Sequence, residues 1–106
     1  MKYITTSISL SMVQSNDYDL EIHRLSEDEF KVLIKGAYSC VGYEDVADIL
    51  GIEYNKEPVK ARPGDILYVA NLQQGTLKFY CVRVVESNSE LIRQYEIQDE
   101  EMIEWL

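Results

Sequence analysis

Two short polar segments hold the side chains best suited to binding or catalysis in this chain of 106 residues. The first, Thr5–Ser11, is rich in hydroxyls and follows a predicted strand. The second, Val41–Asp45, places a glycine, a tyrosine and two carboxylates at the start of a predicted helix. Free backbone N–H groups at a helix start attract a small anion, and neighbouring hydroxyls can complete such a site. A capped helix beside a polar strand end would explain the same residues equally well.

Conventional catalytic constellations are missing from the sequence. His23 is the sole histidine, and a lone histidine without an orienting partner is a poor general acid or base. The acidic clusters Glu27–Glu29 and Asp99–Glu101 are interpreted as solvated helix ends. Cys40 and Cys81 match no metal-ligand spacing and are expected to be free thiols. We therefore expect no metal and no cofactor, and the sequence leaves enzymatic activity undecided, with a non-enzyme favoured.

The charge balance excludes one large class of partners. Nineteen acidic residues against ten basic ones give a net charge of −9, and no basic run is longer than one residue. Duplex nucleic acid is normally bound through clustered Lys and Arg, so a duplex binder is not expected. No stretch approaches the ~20 apolar residues of a membrane span, and no leader segment is recognised. We expect a cytoplasmic protein that makes no membrane contact.

The hydrophobic pattern predicts one α+β domain over residues 1–106, with a single mixed sheet of about five strands and two or three helices packed on it. The predicted strands are Lys2–Ser9, Asp19–Leu25, Ser39–Val41, Ile66–Leu72 and Leu77–Val85. The last two should form a hairpin around Gly75 near the centre of the sheet. An edge strand around residues 95–97 and an acidic helix over residues 98–106 are further predictions.

Local signals predict two helices. Ser26 and Glu29 have the spacing of a capping box, and an apolar face should follow it. Its residues are Phe30, Leu33, Ile34 and Ala37. The second helix is predicted over Tyr43–Leu50, ending at Gly51. Its expected core face is Val46, Ala47, Ile49 and Leu50.

Three stretches resemble motifs of the viral ring nucleases, small dimeric α+β proteins of archaeal viruses, phages and mobile elements that act as type III anti-CRISPRs. Thr6–Val13 is similar to the family pattern Asn-Ala-Phe-Ser-Ile-Asn-Met-Leu, which follows its first strand. Val41–Glu44 is similar to the motif Ile-Gly-His-Asp, which opens a helix. Gly64–Val69 is similar to the strand motif Gly-Asp-x-Leu-x-Val. The resemblance covers most of residues 1–85.

That resemblance implies a homodimer that binds cyclic oligoadenylate, the second messenger of type III CRISPR immunity. In the family, the histidine of the Gly-His motif supports attack of a ribose 2′-hydroxyl on the adjacent phosphate. Tyr43 occupies that position here, and a phenol is a poorer proton donor at neutral pH than an imidazolium. The family's arginines are also missing, since Pro58 and Gln74–Gly75 stand near the expected places.

The sequence thus supports three hypotheses. The first is a dimer that sequesters a cyclic nucleotide without efficient cleavage. The second is an active ring nuclease, and the third is a non-enzymatic acidic domain that mimics DNA or docks a basic protein. For the first two, the implied ligand-binding residues are Thr6, Ser7, Ser9, Ser11, Gly42, Tyr43, Glu44, Gln73 and Gln74.

Overall fold

The computed structural model describes residues 1–86. Within that range, five strands form one mixed sheet in the order β2-β5-β4-β1-β3. The strands are β1 (Lys2–Thr5), β2 (Tyr18–Leu25), β3 (Tyr38–Ser39), β4 (Ile66–Gln73) and β5 (Thr76–Glu86). The helices are α1 (Glu27–Leu33) and α2 (Glu44–Leu50), and a 3₁₀ turn spans Leu10–Met12. The predicted α+β fold with a single mixed sheet is confirmed.

Strand direction differs between the two halves of the sheet. β1 lies between β3 and β4 and pairs in parallel with both. β5 pairs antiparallel with β2 and with β4. The β4–β5 hairpin turns at Gln74 and Gly75, whose φ angles are 51° and 81°. Two positive φ angles match the twist of the flanking strands, which is why a glycine suits this turn.

Helix α1 begins at the predicted capping box. The Ser26 hydroxyl accepts the Glu29 N–H at 3.1 Å, and the Glu29 carboxylate accepts the Ser26 N–H at 3.1 Å. Phe30 and Ile34 are buried, as predicted. The expectation for Leu33 is wrong, since this side chain is 40% exposed. The buried side chains of Phe30 and Ile34 are four residues apart and form a narrow stripe along this short helix. Leu33 projects beside that stripe.

Helix α2 ends at Gly51, which adopts the left-handed conformation at φ 68°. The Ile52 N–H then donates to the carbonyl of Ala47 at 3.0 Å, so the helix end is closed as predicted. Ala47 and Leu50 are buried. The predicted core position of Ile49 is wrong, because that side chain is 58% exposed. The buried stripe follows the spacing of Ala47 and Leu50 and turns Ile49 toward solvent.

Each face of the sheet carries its own core. On one face, the helices cover Ile4, Val41, Tyr68, Ala70 and Phe79. Phe30 of α1 packs on Phe79 with a ring-centroid distance of 4.8 Å. On the other face, two loop segments that include Ile8, Val13, Val59 and Ala61 cover the residues Leu67, Val69, Tyr80, Val82 and Val84. Both faces of β4 and β5 are therefore buried, which confirms their predicted central place.

The first strand is shorter than predicted. β1 ends at Thr5, opposite Val69 of β4, and the chain then crosses to the other face, where Ile8 is buried. The predictions for residues 95–97 and 98–106 lie outside the described residues. No helix within residues 1–86 has the length and apolar character needed to cross a membrane.

Candidate functional site

Three parallel strands bring separate parts of the chain to one edge of the sheet. The carboxyl ends of β1, β3 and β4 face the same way, because both β3 and β4 pair in parallel with β1. Thr6 follows β1 and the start of α2 follows β3. β4 continues beyond Val69, the partner of Thr5, to Gln73. The two polar segments singled out from sequence therefore meet at this edge. Ligand sites commonly lie at the carboxyl ends of the strands in open parallel sheets.

A groove of about 350 Å³ lies at this edge, between the start of α2 and the β4–β5 hairpin. Its lining residues are Thr6, Ser7, Tyr43, Asp45, Val46, Ala70, Asn71, Leu72 and Leu77. Thr6, Ser7 and Tyr43 were implied by the sequence, and the structure places these three together.

Two side-chain hydrogen bonds hold the backbone of the segment after β1, at the carbonyls of Thr6 and Ser7. The Asn71 side-chain amide donates to the Thr6 carbonyl at 2.8 Å. The Thr5 hydroxyl, on a buried side chain, donates to the Ser7 carbonyl at 3.3 Å. Both bonds involve backbone carbonyls, and the Thr6 and Ser7 hydroxyls form no hydrogen bond within residues 1–86.

The start of α2 supplies an aromatic ring and a carboxylate. Tyr43 is the residue before the helix, makes no side-chain capping bond and is 62% exposed. The Asp45 carboxylate accepts the Val46 N–H at 2.9 Å. One of the helix-start amides expected to bind an anion is therefore occupied by a carboxylate of the same helix, which also adds negative charge to the groove.

Gly42 and Glu44 flank Tyr43 but do not line the groove. The backbone at Gly42 needs no positive φ, and a Cβ placed there would meet Lys56 at 3.6 Å, an ordinary contact distance. The stem of Lys56 thus lies against this glycine, just outside the groove. Glu44 is exposed to solvent.

Four further predicted residues lie elsewhere. Ser9 precedes the 3₁₀ turn and Ser11 lies within it, their hydroxyls are 2.9 Å apart, and the chain there has crossed to the opposite face. Gln73 donates to the Tyr80 hydroxyl at 3.2 Å, on the loop-covered face of the sheet. Gln74 forms the hairpin turn. None of the four lines the groove.

Other reactive side chains of the described range have no connection with the groove. Burial raises the pKa of both free thiols, Cys40 and Cys81, which disfavours the reactive thiolate form of each. His23 is exposed on β2. No group of metal-ligating side chains is present within residues 1–86.

Two polar groove residues, Asp45 and Asn71, were not among the implied ligand-binding residues. Asn71 is placed by the parallel register of β1 on β4, which no local pattern in the sequence reveals. Asp45 stands in the polar segment Val41–Asp45, but its exposure to the groove depends on how α2 docks. The one signal in the sequence is Asn71 itself, a single polar side chain inside the otherwise apolar predicted strand Ile66–Leu72.

Comparison with known proteins gives one finding about the fold. Neither a protein family nor a curated protein matches the sequence. Among solved structures, the chain is similar to B116 of Sulfolobus turreted icosahedral virus, with a TM-score of 0.72 and 16% sequence identity. The similarity covers 77% of this chain and 97% of the viral protein. At this identity the two proteins share a fold, and the comparison carries no residue roles.

Proposed function

We propose that the chain is an anti-defence protein of a virus or mobile element that binds a cyclic oligoadenylate second messenger and sequesters it without efficient cleavage. The observation that carries the proposal is the meeting of Thr6, Ser7 and Tyr43 in one groove at the carboxyl edge of the sheet. Those residues belong to the motifs that resemble the viral ring nucleases. The fold shared with a Sulfolobus virus protein supports a viral origin.

The size of the groove supports binding of one nucleotide unit by each chain. Its volume, about 350 Å³, is at the lower end of the range of small-molecule sites, roughly 300–1,000 Å³. A cyclic ligand of several nucleotides exceeds that space. Two copies of the chain, each holding part of one ring, would accommodate it, so the proposed binding species is a homodimer.

The chemistry of the groove supports sequestration over cleavage. Tyr43 replaces the histidine that the resemblance would place there, and the described residues lining the groove include no Lys or Arg. Cleavage by a 2′-hydroxyl needs protonation of the leaving oxygen and stabilisation of charge on phosphorus. Since a well-placed acid or charge donor commonly supplies ~10²–10⁴-fold in rate, a groove lacking both is a poor catalyst.

A thermal-shift assay with cyclic tetra-adenylate tests the proposal. A ligand present at 100 times its Kd adds about 2.7 kcal/mol to the free energy of unfolding, which raises the melting temperature of a domain this size by roughly 10 °C or more. We expect that shift, and intact cyclic ligand should be recovered afterwards. Recovery of linear product would instead identify an active ring nuclease. If no cyclic oligonucleotide raises the melting temperature and the protein captures a basic protein, the third hypothesis, a non-enzymatic acidic interaction domain, would be favoured.

A matched pair of variants locates the binding site. Tyr43→Ala should reduce affinity about 10- to 100-fold, because base stacking on an aromatic side chain contributes about 1–3 kcal/mol. Tyr54→Ala removes another exposed tyrosine, which lies outside the groove, and should leave affinity unchanged. Equal loss in both variants would place the ligand elsewhere.

A further inference from the structure

The loop after α2 holds the outer side of the connection between β3 and α2. The Asn55 backbone N–H donates to the Val41 carbonyl at 2.9 Å, and the Asn55 side-chain amide donates to the Ser39 carbonyl at 2.8 Å. Between these two carbonyls, the Cys40 N–H donates inward to the Ile4 carbonyl of β1 at 2.8 Å. The carbonyls of alternate residues that face away from β1 are therefore both bonded by one residue of the loop, as a neighbouring strand would bond them.

The Asn55 side chain uses both its donor and its acceptor groups. Its amide nitrogen also donates to the Tyr38 hydroxyl at 3.3 Å, and its amide oxygen accepts the Glu57 N–H at 3.2 Å. The Tyr38 hydroxyl in turn donates to the Glu57 carboxylate at 2.6 Å. A short amide side chain supplies two N–H donors and an acceptor at one position, which aspartate, serine and alanine cannot do. The loop is thus tied to the β3 edge through the amide of Asn55.

The connection that Asn55 holds leads directly to Tyr43. The stem of Lys56 lies against Gly42, where an added Cβ would meet it at 3.6 Å. Tyr43 is the residue before α2 and makes no side-chain capping bond, so no such bond fixes the start of the helix. The place of Tyr43 at the groove therefore depends on the preceding connection. The buried Val41 side chain holds that connection on its inner side, and Asn55 holds it on its outer side.

We infer that Asn55 is a positioning residue for the groove, one that sets the place of Tyr43 without contacting the ligand itself. Asn55 is not among the residues that line the groove. The inference rests on the proposed function, because it takes Tyr43 as a contact of the bound nucleotide. Loss of the Asn55 amide should let the connection shift and lower the affinity, although every groove residue is unchanged.

Calorimetric titration of two variants with cyclic tetra-adenylate, at a temperature where both are fully folded, tests the inference. Asn55→Ala keeps the backbone N–H but removes the amide, and it should weaken binding about 2- to 30-fold, the usual range for residues that act without contacting a ligand. Ser26→Ala removes a hydrogen bond at the start of α1, away from the groove, and should lower stability without changing affinity. Unchanged affinity in Asn55→Ala, or equal weakening in both variants, would overturn the inference.

Nuclear magnetic resonance of the ¹⁵N-labelled protein without ligand gives a second readout. Asn55→Ala should shift the backbone amide signals of Gly42, Tyr43 and Glu44. Asn16→Ala, which removes an exposed amide that forms no hydrogen bond within residues 1–86, should leave those three signals in place. An unmoved Tyr43 signal in Asn55→Ala would overturn the inference, even if that variant binds the ligand more weakly.

The two readouts separate this inference from the proposed function. If the parent binds no cyclic oligonucleotide while Asn55→Ala shifts the Tyr43 signal, the proposed function fails and control of the Tyr43 position by Asn55 is supported. If Asn55→Ala binds cyclic tetra-adenylate as tightly as the parent, the inference fails and the proposed function stands.

Discussion

The proposed function depends most strongly on one side chain, that of Tyr43. It is 62% exposed and makes no capping bond, so it contributes little to the stability of the fold. An exposed aromatic side chain at the rim of a groove is available to stack on a ligand. Its place could be predicted from sequence because Gly42 and the start of α2 mark it locally. The hydrogen bond from Asn71 to the Thr6 carbonyl could not be predicted, because strand register is set by tertiary pairing.

Substituting Tyr43 with histidine tests what that position lacks. If the groove has ring-nuclease geometry, Tyr43→His restores a proton donor and should raise cleavage of cyclic tetra-adenylate on the order of 10²-fold. Chromatography of the reaction products measures the linear oligonucleotide formed. A variant that binds the ligand as tightly as the parent but forms no linear product would contradict the proposed correspondence with the family histidine.

Two glycines should differ in how much stability they lose when substituted with alanine. Gly51 ends α2 at φ 68°, a conformation that alanine adopts at a cost, so Gly51→Ala should lower the free energy of unfolding by about 1 kcal/mol. Gly42 has no positive φ and room for a Cβ, so Gly42→Ala should change it by less than about 1 kcal/mol.

Urea denaturation of both variants measures the difference. A larger loss for Gly42→Ala than for Gly51→Ala would contradict the left-handed conformation of Gly51 and the ordinary backbone of Gly42.

The elements that could be predicted from sequence are those specified by local signals. The capping box of α1, the glycine end of α2 and the β4–β5 turn each depend on a few adjacent residues, and all three form as expected. Helix faces and strand ends depend on neighbours distant in sequence. Leu33 and Ile49 fit a helical repeat yet are exposed, and β1 ends at Thr5 although β-branched and hydroxyl residues continue.

Removing the capping box should lower the free energy of unfolding by a measurable amount. Ser26→Ala removes the acceptor for the Glu29 N–H at the exposed start of α1, which should cost about 1 kcal/mol at neutral pH. Denaturant unfolding followed by circular dichroism gives the value. A loss below about 0.2 kcal/mol would indicate that α1 does not depend on this cap.

The same cap makes a part of the stability dependent on pH. The hydrogen bond from the Ser26 backbone N–H lowers the pKa of Glu29, so the folded state favours the ionised carboxylate. That contribution is present above the ordinary pKa of a glutamate and is lost as the pH falls through the lowered value. Glu29→Gln should therefore have a lower free energy of unfolding than the parent at pH 7, and the two values should converge near pH 3. A difference that persists at pH 3 would contradict a role for the ionised carboxylate.

At the scale of the whole molecule, net charge and strand edges bear on association. The net charge of −9 makes contact with duplex phosphates unfavourable. β3, one edge of the sheet, is shielded by the loop after α2, where the Asn55 side chain donates to the Ser39 carbonyl at 2.8 Å. A second copy is therefore not expected to add to the sheet at β3.

The proposed homodimer gives a prediction about mass in solution. Analytical ultracentrifugation at micromolar concentration should show a species of twice the chain mass, since one groove is too small for a cyclic oligonucleotide. Cyclic tetra-adenylate should stabilise that species by mass action. A monomer at every concentration, with and without the ligand, would require a different account of how a cyclic ligand is held.

Calorimetric titration of the protein with cyclic tetra-adenylate, followed by analysis of the recovered ligand, tests whether this groove holds the messenger. We predict saturable binding of one ring for two chains, an affinity lowered about 10- to 100-fold in Tyr43→Ala, and ligand that remains cyclic. No heat of binding in the parent protein, or binding that Tyr43→Ala leaves unchanged, would contradict the claim that this groove holds the messenger.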